Sequence, residues 1–173
     1  MLIKIFSSLV IILCCAFLGI HMSYKYNRRL YNFRMLNSML IRLEAEIVQY
    51  STLLSQALRS SANQYDGEWK PIFLNIADAL ESGEEHSLEA IWQKHIRILY
   101  NNPYIGQSEY ETMYRFGVQL GSSDKKTQGR FFELARAQLK AEEANAEELR
   151  LKYSKMYRSL GILLGFGIAI ILF

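Results

Sequence analysis

Two apolar runs, one at either end of the chain, restrict what this sequence can fold into, and each carries its basic residues on the side facing the middle. Leu2 to Ile20 is broken only by Lys4, Ser7 and Ser8 and leads into Lys25, Arg28, Arg29 and Arg34. Arg150, Lys152, Lys155 and Arg158 precede the apolar stretch Leu160 to Phe173. Lys and Arg beside a membrane segment stay on the cytoplasmic side, so the two ends independently predict one topology. Residues 1–22 form an N-terminal transmembrane anchor, 23–157 a cytoplasmic domain and 158–173 a C-terminal transmembrane anchor.

The alternatives for the ends are weaker. A cleaved signal needs small residues at its end, and Phe17-Leu18-Gly19-Ile20-His21-Met22 has no Ala-x-Ala pattern. The second run covers about 21 Å at 1.5 Å per residue, short of a usual span. It reaches across by extending inward through Tyr157 with Arg158 snorkelling, or by thinning the bilayer. A buried helix of a soluble protein would carry a polar stripe, which Leu160 to Phe173 lacks.

Between the anchors lie about 135 residues, enough for one domain with a modest core. Leu36, Leu40, Leu43, Ile47, Tyr50, Leu54 and Ala57 recur at three- and four-residue steps, predicting a long amphipathic helix that continues from the first anchor. Ser60 to Gly67 reads as a loop, and Pro71 suits the first turn of a helix through Leu80 that Gly83 closes in the left-handed conformation. Ser87 caps the next helix, with Leu88, Ile91, Trp92, His95 and Leu99 on one side. Ser108-Glu109-Tyr110-Glu111 has capping-box spacing and predicts a helix packed through Tyr110, Met113, Phe116, Gly117 and Leu120 and ended at Gly121. A last helix runs from Asp124 through Phe132, Ala135 and Leu139 towards the second anchor. Strand periodicity is missing, so the fold class is all-α: an antiparallel helical bundle between an N-terminal and a C-terminal transmembrane helix.

Chemistry is sparse. No glycine-rich phosphate loop ends in Lys-Ser or Lys-Thr, so the chain is not expected to hydrolyse nucleotide itself. His86 and His95 match no metal-binding helix spacing, and Cys14 and Cys15 both fall inside the first apolar run. Glu142, Glu143, Glu147 and Glu148 read as a solvated helix face, with Glu148 four residues before Lys152. Twenty basic residues against 17 acidic ones give no support to nucleic-acid binding, and much of the excess sits where it meets anionic lipid head groups. The expectation is a non-enzymatic chain without catalytic, cofactor-binding or metal-ligating residues.

Gly161-Ile162-Leu163-Leu164-Gly165 has the small-xxx-small spacing that lets membrane helices approach closely. Gly167 widens that surface, and Gly19 is one counterpart within the chain; another protein is the other. Candidate residues for a partner interface or a structural motif are Glu44, Glu46, Phe116, Gly117, Gly121, Asp124 and Gln128. For Gly117, Gly121 and Asp124 a structural role, a helix stop followed by a cap, is favoured. Glu44 and Glu46 point to different helix faces, so at most one is expected to serve the core or a buried pair.

Together these residues resemble a family, the stage III sporulation protein AB of endospore-forming bacteria. The resemblance is carried by Leu43-Glu44-Ala45-Glu46-Ile47 with Tyr50, by Gly83 and Trp92, and by Glu109, Phe116-Gly117, Leu120-Gly121, Asp124 and Gln128. Lys152, Lys155 and Met156 ahead of Ser159-Leu160-Gly161 complete it. The tyrosine-rich loop Tyr100 to Tyr104 departs from the pattern. The resemblance implies a subunit of a secretion-like channel in the mother-cell membrane around the forespore, with a soluble part similar to the cytoplasmic domain of type II secretion and type IV pilus platform proteins. It further implies, as partners, a cytoplasmic ATPase, other membrane subunits of the channel and membrane lipid. A generic two-anchor adaptor and a membrane-bound hydrolase are the alternatives.

Overall fold

The computed structural model describes residues 2–83, 87–122 and 125–172. Every regular element among them is helical: α1 (Leu2–Glu44), α2 (Leu54–Asn63), α3 (Trp69–Ser82), α4 (Leu88–Ile96), α5 (Gln107–Ser122), α6 (Lys125–Leu149) and α7 (Lys155–Leu172). Short π-helical turns occupy Ala45–Gln49 and Arg150–Ser154, and a 3-10 turn occupies Arg97–Leu99. The chain divides into two compact units, residues 31–144 and residues 1–30 with 145–173.

Within residues 31–144, Phe33, Leu36, Leu40 and Leu43 repeat at helical spacing along α1 and are all fully buried. Arg34 near the start of this segment pairs with Glu143, and Glu44 at its end pairs with Arg136. Partner numbers fall as α1 numbers rise, so α6 runs antiparallel to it. An aromatic ladder links four helices: Phe73 of α3 to Trp92 of α4 at 6.0 Å, Trp92 to Phe116 of α5 at 5.8 Å, and Phe116 to Phe132 of α6 at 4.9 Å. Each such pair adds roughly 1 kcal/mol beyond area burial. Gly83 closes α3 at φ 67°, and the Ser87 hydroxyl caps α4 by accepting from the Ala90 N–H.

Several local expectations are corrected. The long helix from Leu36 to Ala57 is broken after Glu44, where the backbone takes a π turn, Ser51 adopts φ 55° and Leu53 is extended ahead of α2. The extra residue in the turn shifts the phase, so Tyr50 is 72 % exposed instead of lying on the apolar stripe. The loop from Ser60 is shorter than expected, because α2 continues to Asn63. Ser108 caps no helix. α5 starts at Gln107, and the Gly106 N–H donates to Glu109 Oε2 at 3.3 Å, so the acid three residues after Gly106 supplies the reciprocal half of a box. The buried stripe of α5 accordingly contains Glu109 and Thr112, while Tyr110 is only half-buried. Gly121 lies within α5, which continues to Ser122.

In the other unit, α1 and α7 run antiparallel. Ile12 and Cys15 lie against Gly165, Cys15 and Gly19 against Gly161, and Ser23 against Ser154. A methyl group added at Gly19 would sit 2.6 Å from the Tyr157 carbonyl oxygen, and one at Gly161 2.7 Å from that of Cys15. Nothing lies within 4 Å of a methyl at Gly167, so that glycine does not widen the seam between the two helices. Outward from the seam, Leu13, Phe17, Leu18, Leu163, Leu164 and Ile170 are exposed, a grouping of apolar side chains of the kind that marks contact with a membrane or another protein. Among the described residues one helix, Val10–Gln49, is long and apolar enough to cross a membrane. The expected second span is not among them.

Candidate interaction surfaces

The π turn after α1 is built around Glu46. Its carboxylate accepts from Ser60 Oγ and Thr52 Oγ1, each at 3.0 Å, and from Arg42 at 3.4 Å. Arg42 also donates to Ser60 Oγ through Nε at 3.1 Å and Nη2 at 3.0 Å. The Ser60 and Thr52 hydroxyls hold the Glu46 carboxyl below its ordinary pKa, with Arg42 adding to the effect against partial desolvation. This network ties α2 to the turn, and Val48, Tyr50 and Leu53 in and just after the turn are exposed. A rigid backbone presenting exposed apolar side chains is suited to contact with another protein.

Glu44 serves a separate purpose. It accepts from Arg136 at 2.7 Å in a half-exposed ion pair that ties α1 to α6. Both glutamates are therefore engaged, on different elements, and neither side chain is fully buried.

Phe116 and Gly117 belong to the core. Phe116 is 2 % exposed, and the backbone of Gly117 lies directly under the Trp92 indole, where a methyl group would overlap the ring. The indole N–H donates to the Met113 carbonyl at 2.8 Å, so Trp92 is held against α5 by both a hydrogen bond and the missing side chain. Gln128 is half-buried in α6, and Asp124 lies outside the described residues, as does His86.

Glu109 is the residue that pattern reading placed poorly. It is fully buried, and Trp69 Nε1 donates to its Oε1 at 2.7 Å while Gly106 donates to Oε2. A buried carboxylate persists only when its oxygens are satisfied. Its position three residues after a glycine that opens a helix was the available signal, and Ser108 with Glu111 obscured it.

Fold and surfaces thus define an all-helical protein with an apolar helix pair and a helical unit whose outer turn is fit for protein contact. The sequence profile of stage III sporulation protein AB matches residues 4–173, and the chain belongs to that family. Stage III sporulation protein AB of Bacillus subtilis (strain 168) is 30 % identical over 171 residues, covering 99 % of each chain. A solved structure of stage III sporulation protein AB (SpoIIIAB) superposes with a TM-score of 0.66 at 30 % identity, covering 72 % of this chain and 98 % of that one.

Proposed function

We propose that this sporulation protein is a non-enzymatic platform subunit in the mother-cell membrane around the forespore. Both apolar ends are embedded, the helical unit faces the cytoplasm, and that unit docks a separately encoded ATPase and links it to other membrane subunits. The observation that carries the docking reading is the outer turn, where Val48, Tyr50 and Leu53 stay exposed on a backbone braced by Glu46, Arg42, Ser60 and Thr52. Exposed aromatic and aliphatic side chains on a rigid frame lose little entropy on binding. The lack of a nucleotide loop in the sequence supports the reading that, if energy is used, a partner supplies it.

The test is association of the purified full chain with the cognate ATPase of the same sporulation complex. Tyr50→Ser with Leu53→Ser is expected to weaken binding at least tenfold, the scale of a lost interface anchor of about 1.4 kcal/mol or more, with the melting temperature unchanged. No association by the wild-type chain, together with no cross-link in membranes, would remove ATPase docking.

A further inference from the structure

Within the unit that holds the apolar helix pair, α1 and the stretch from the end of α6 through the π turn into α7 border a cleft of about 420 Å³ lined by Lys25, Tyr26, Arg29, Leu149, Tyr153 and Tyr157. Tyr26 stacks on Tyr153 at 5.5 Å and on Tyr157 at 6.0 Å, nearly parallel to both. Lys152 Nζ sits 5.3 Å from the centroid of the Tyr153 ring. The lining holds two cations and no carboxylate.

The π turn Arg150–Ser154 contributes to this arrangement. Its wider winding lets Tyr153, Ser154 and Tyr157 all reach α1, where Ser154 and Arg158 both bond to the buried Ser23. π turns inside long helices are frequent at functional sites.

The order along α1 is also informative. The exposed apolar face ends at Met22, the polar layer follows at Ser23, and the cleft residues begin at Lys25. Tyr26 and Arg29 lie four and seven residues past Met22, about 6–10 Å along a helix, the depth of the head-group layer outside a hydrocarbon core. Tyrosine rings favour that layer, and basic pockets between membrane helices on the cytoplasmic side take anionic head groups.

We propose that this cleft binds the phosphate of an anionic phospholipid, with Lys25 and Arg29 pairing the phosphate and the tyrosine stack forming the wall against the head group. The inference rests on the reading of this unit as membrane-embedded. Phosphatidylglycerol is the probe, since it carries one phosphate charge and no cation.

The full chain in non-ionic detergent is titrated with phosphatidylglycerol, with phosphatidylcholine of the same chain length, and with inorganic phosphate. Native mass spectrometry reads bound lipid, and the melting temperature reads protection. Phosphatidylglycerol should be retained and protective, and its preference over phosphatidylcholine should fall about fivefold for each cation removed in Lys25→Gln and Arg29→Gln. Arg115→Gln, in the other unit, should leave the preference unchanged. Equal retention of both lipids by the wild-type chain, or a preference that survives in both single variants, overturns the site. Protection by inorganic phosphate equal to that by phosphatidylglycerol overturns the lipid source. Carbonate extraction of wild-type membranes separates the two readings. A chain that washes off contradicts membrane embedding itself, whereas one that stays but shows no lipid preference contradicts only the cleft.

Discussion

At the scale of single residues, the strongest constraint is the contact between Gly117 and Trp92. Gly117→Ala drives a methyl group into the indole, and because Trp92 is wedged between Phe73 and Phe116 it has little room to retreat. Overpacking of this kind costs about 1–3 kcal/mol, read as a lower melting temperature of the variant. Glu109→Ala leaves the Trp69 N–H buried without its acceptor, a loss of about 1–3 kcal/mol; Glu109→Gln keeps an acceptor and is expected to lose less. Two other glutamates set an acid limit. The Arg59 guanidinium, bonded to Glu81 at 2.7 Å, lowers the Glu81 carboxyl, and the Ser60 and Thr52 hydroxyls lower that of Glu46. A depressed carboxyl binds fewer protons folded than unfolded, so its contribution is complete above the ordinary value of about 4.3 and is lost as pH falls through the depressed one. Below pH of about 4 the melting temperature should therefore drop more steeply in the wild-type chain than in a Glu46→Gln, Glu81→Gln double variant.

At the scale of elements, the close approach of α1 and α7 makes a direct prediction. A Cβ built at Gly165 falls 3.3 Å from that of Cys15, a few tenths of an ångström short of the range of roughly 3.5–4.5 Å that a disulfide spans, so a slight parting of the helices brings the pair into it. In a Cys14→Ser background, Gly165→Cys should cross-link to Cys15 under mild oxidation, while Gly167→Cys, which faces open space, should not. Much of this level was legible in the sequence. The left-handed stop at Gly83, the Ser87 cap and the stripe Leu36, Leu40 and Leu43 follow from local backbone chemistry and helical period, which neighbouring residues alone determine. The break after Glu44 was not legible, because Ile47, Tyr50 and Leu54 keep a helical spacing. The broken form is held by hydrogen bonds from Ser60 and Thr52 to Glu46, and Ser60 lies fourteen residues away from it in the chain. Glu109 escaped for a similar reason: its partner Trp69 is forty residues distant, and a charged residue at a core position runs against the hydrophobic pattern.

At the scale of the whole molecule, this member of the stage III sporulation protein AB family comprises an apolar helix pair and a helical unit with an exposed, hydrogen-bonded turn. The family and the all-helical fold were legible because their signals are spread along the chain. The exposure of Tyr50 and Leu53 was not, because it depends on where the π turn aims them. The central claim is that this turn meets an ATPase on the cytoplasmic side of the membrane. It is tested most directly by placing a photo-cross-linking amino acid at position 50 of the full chain in sporulating cells and identifying what is captured. The expected result is a cross-link to the ATPase that disappears when the same group is placed at Gln119 on α5. Capture from position 50 of proteins confined to the far side of the membrane, with no ATPase among them, would contradict it.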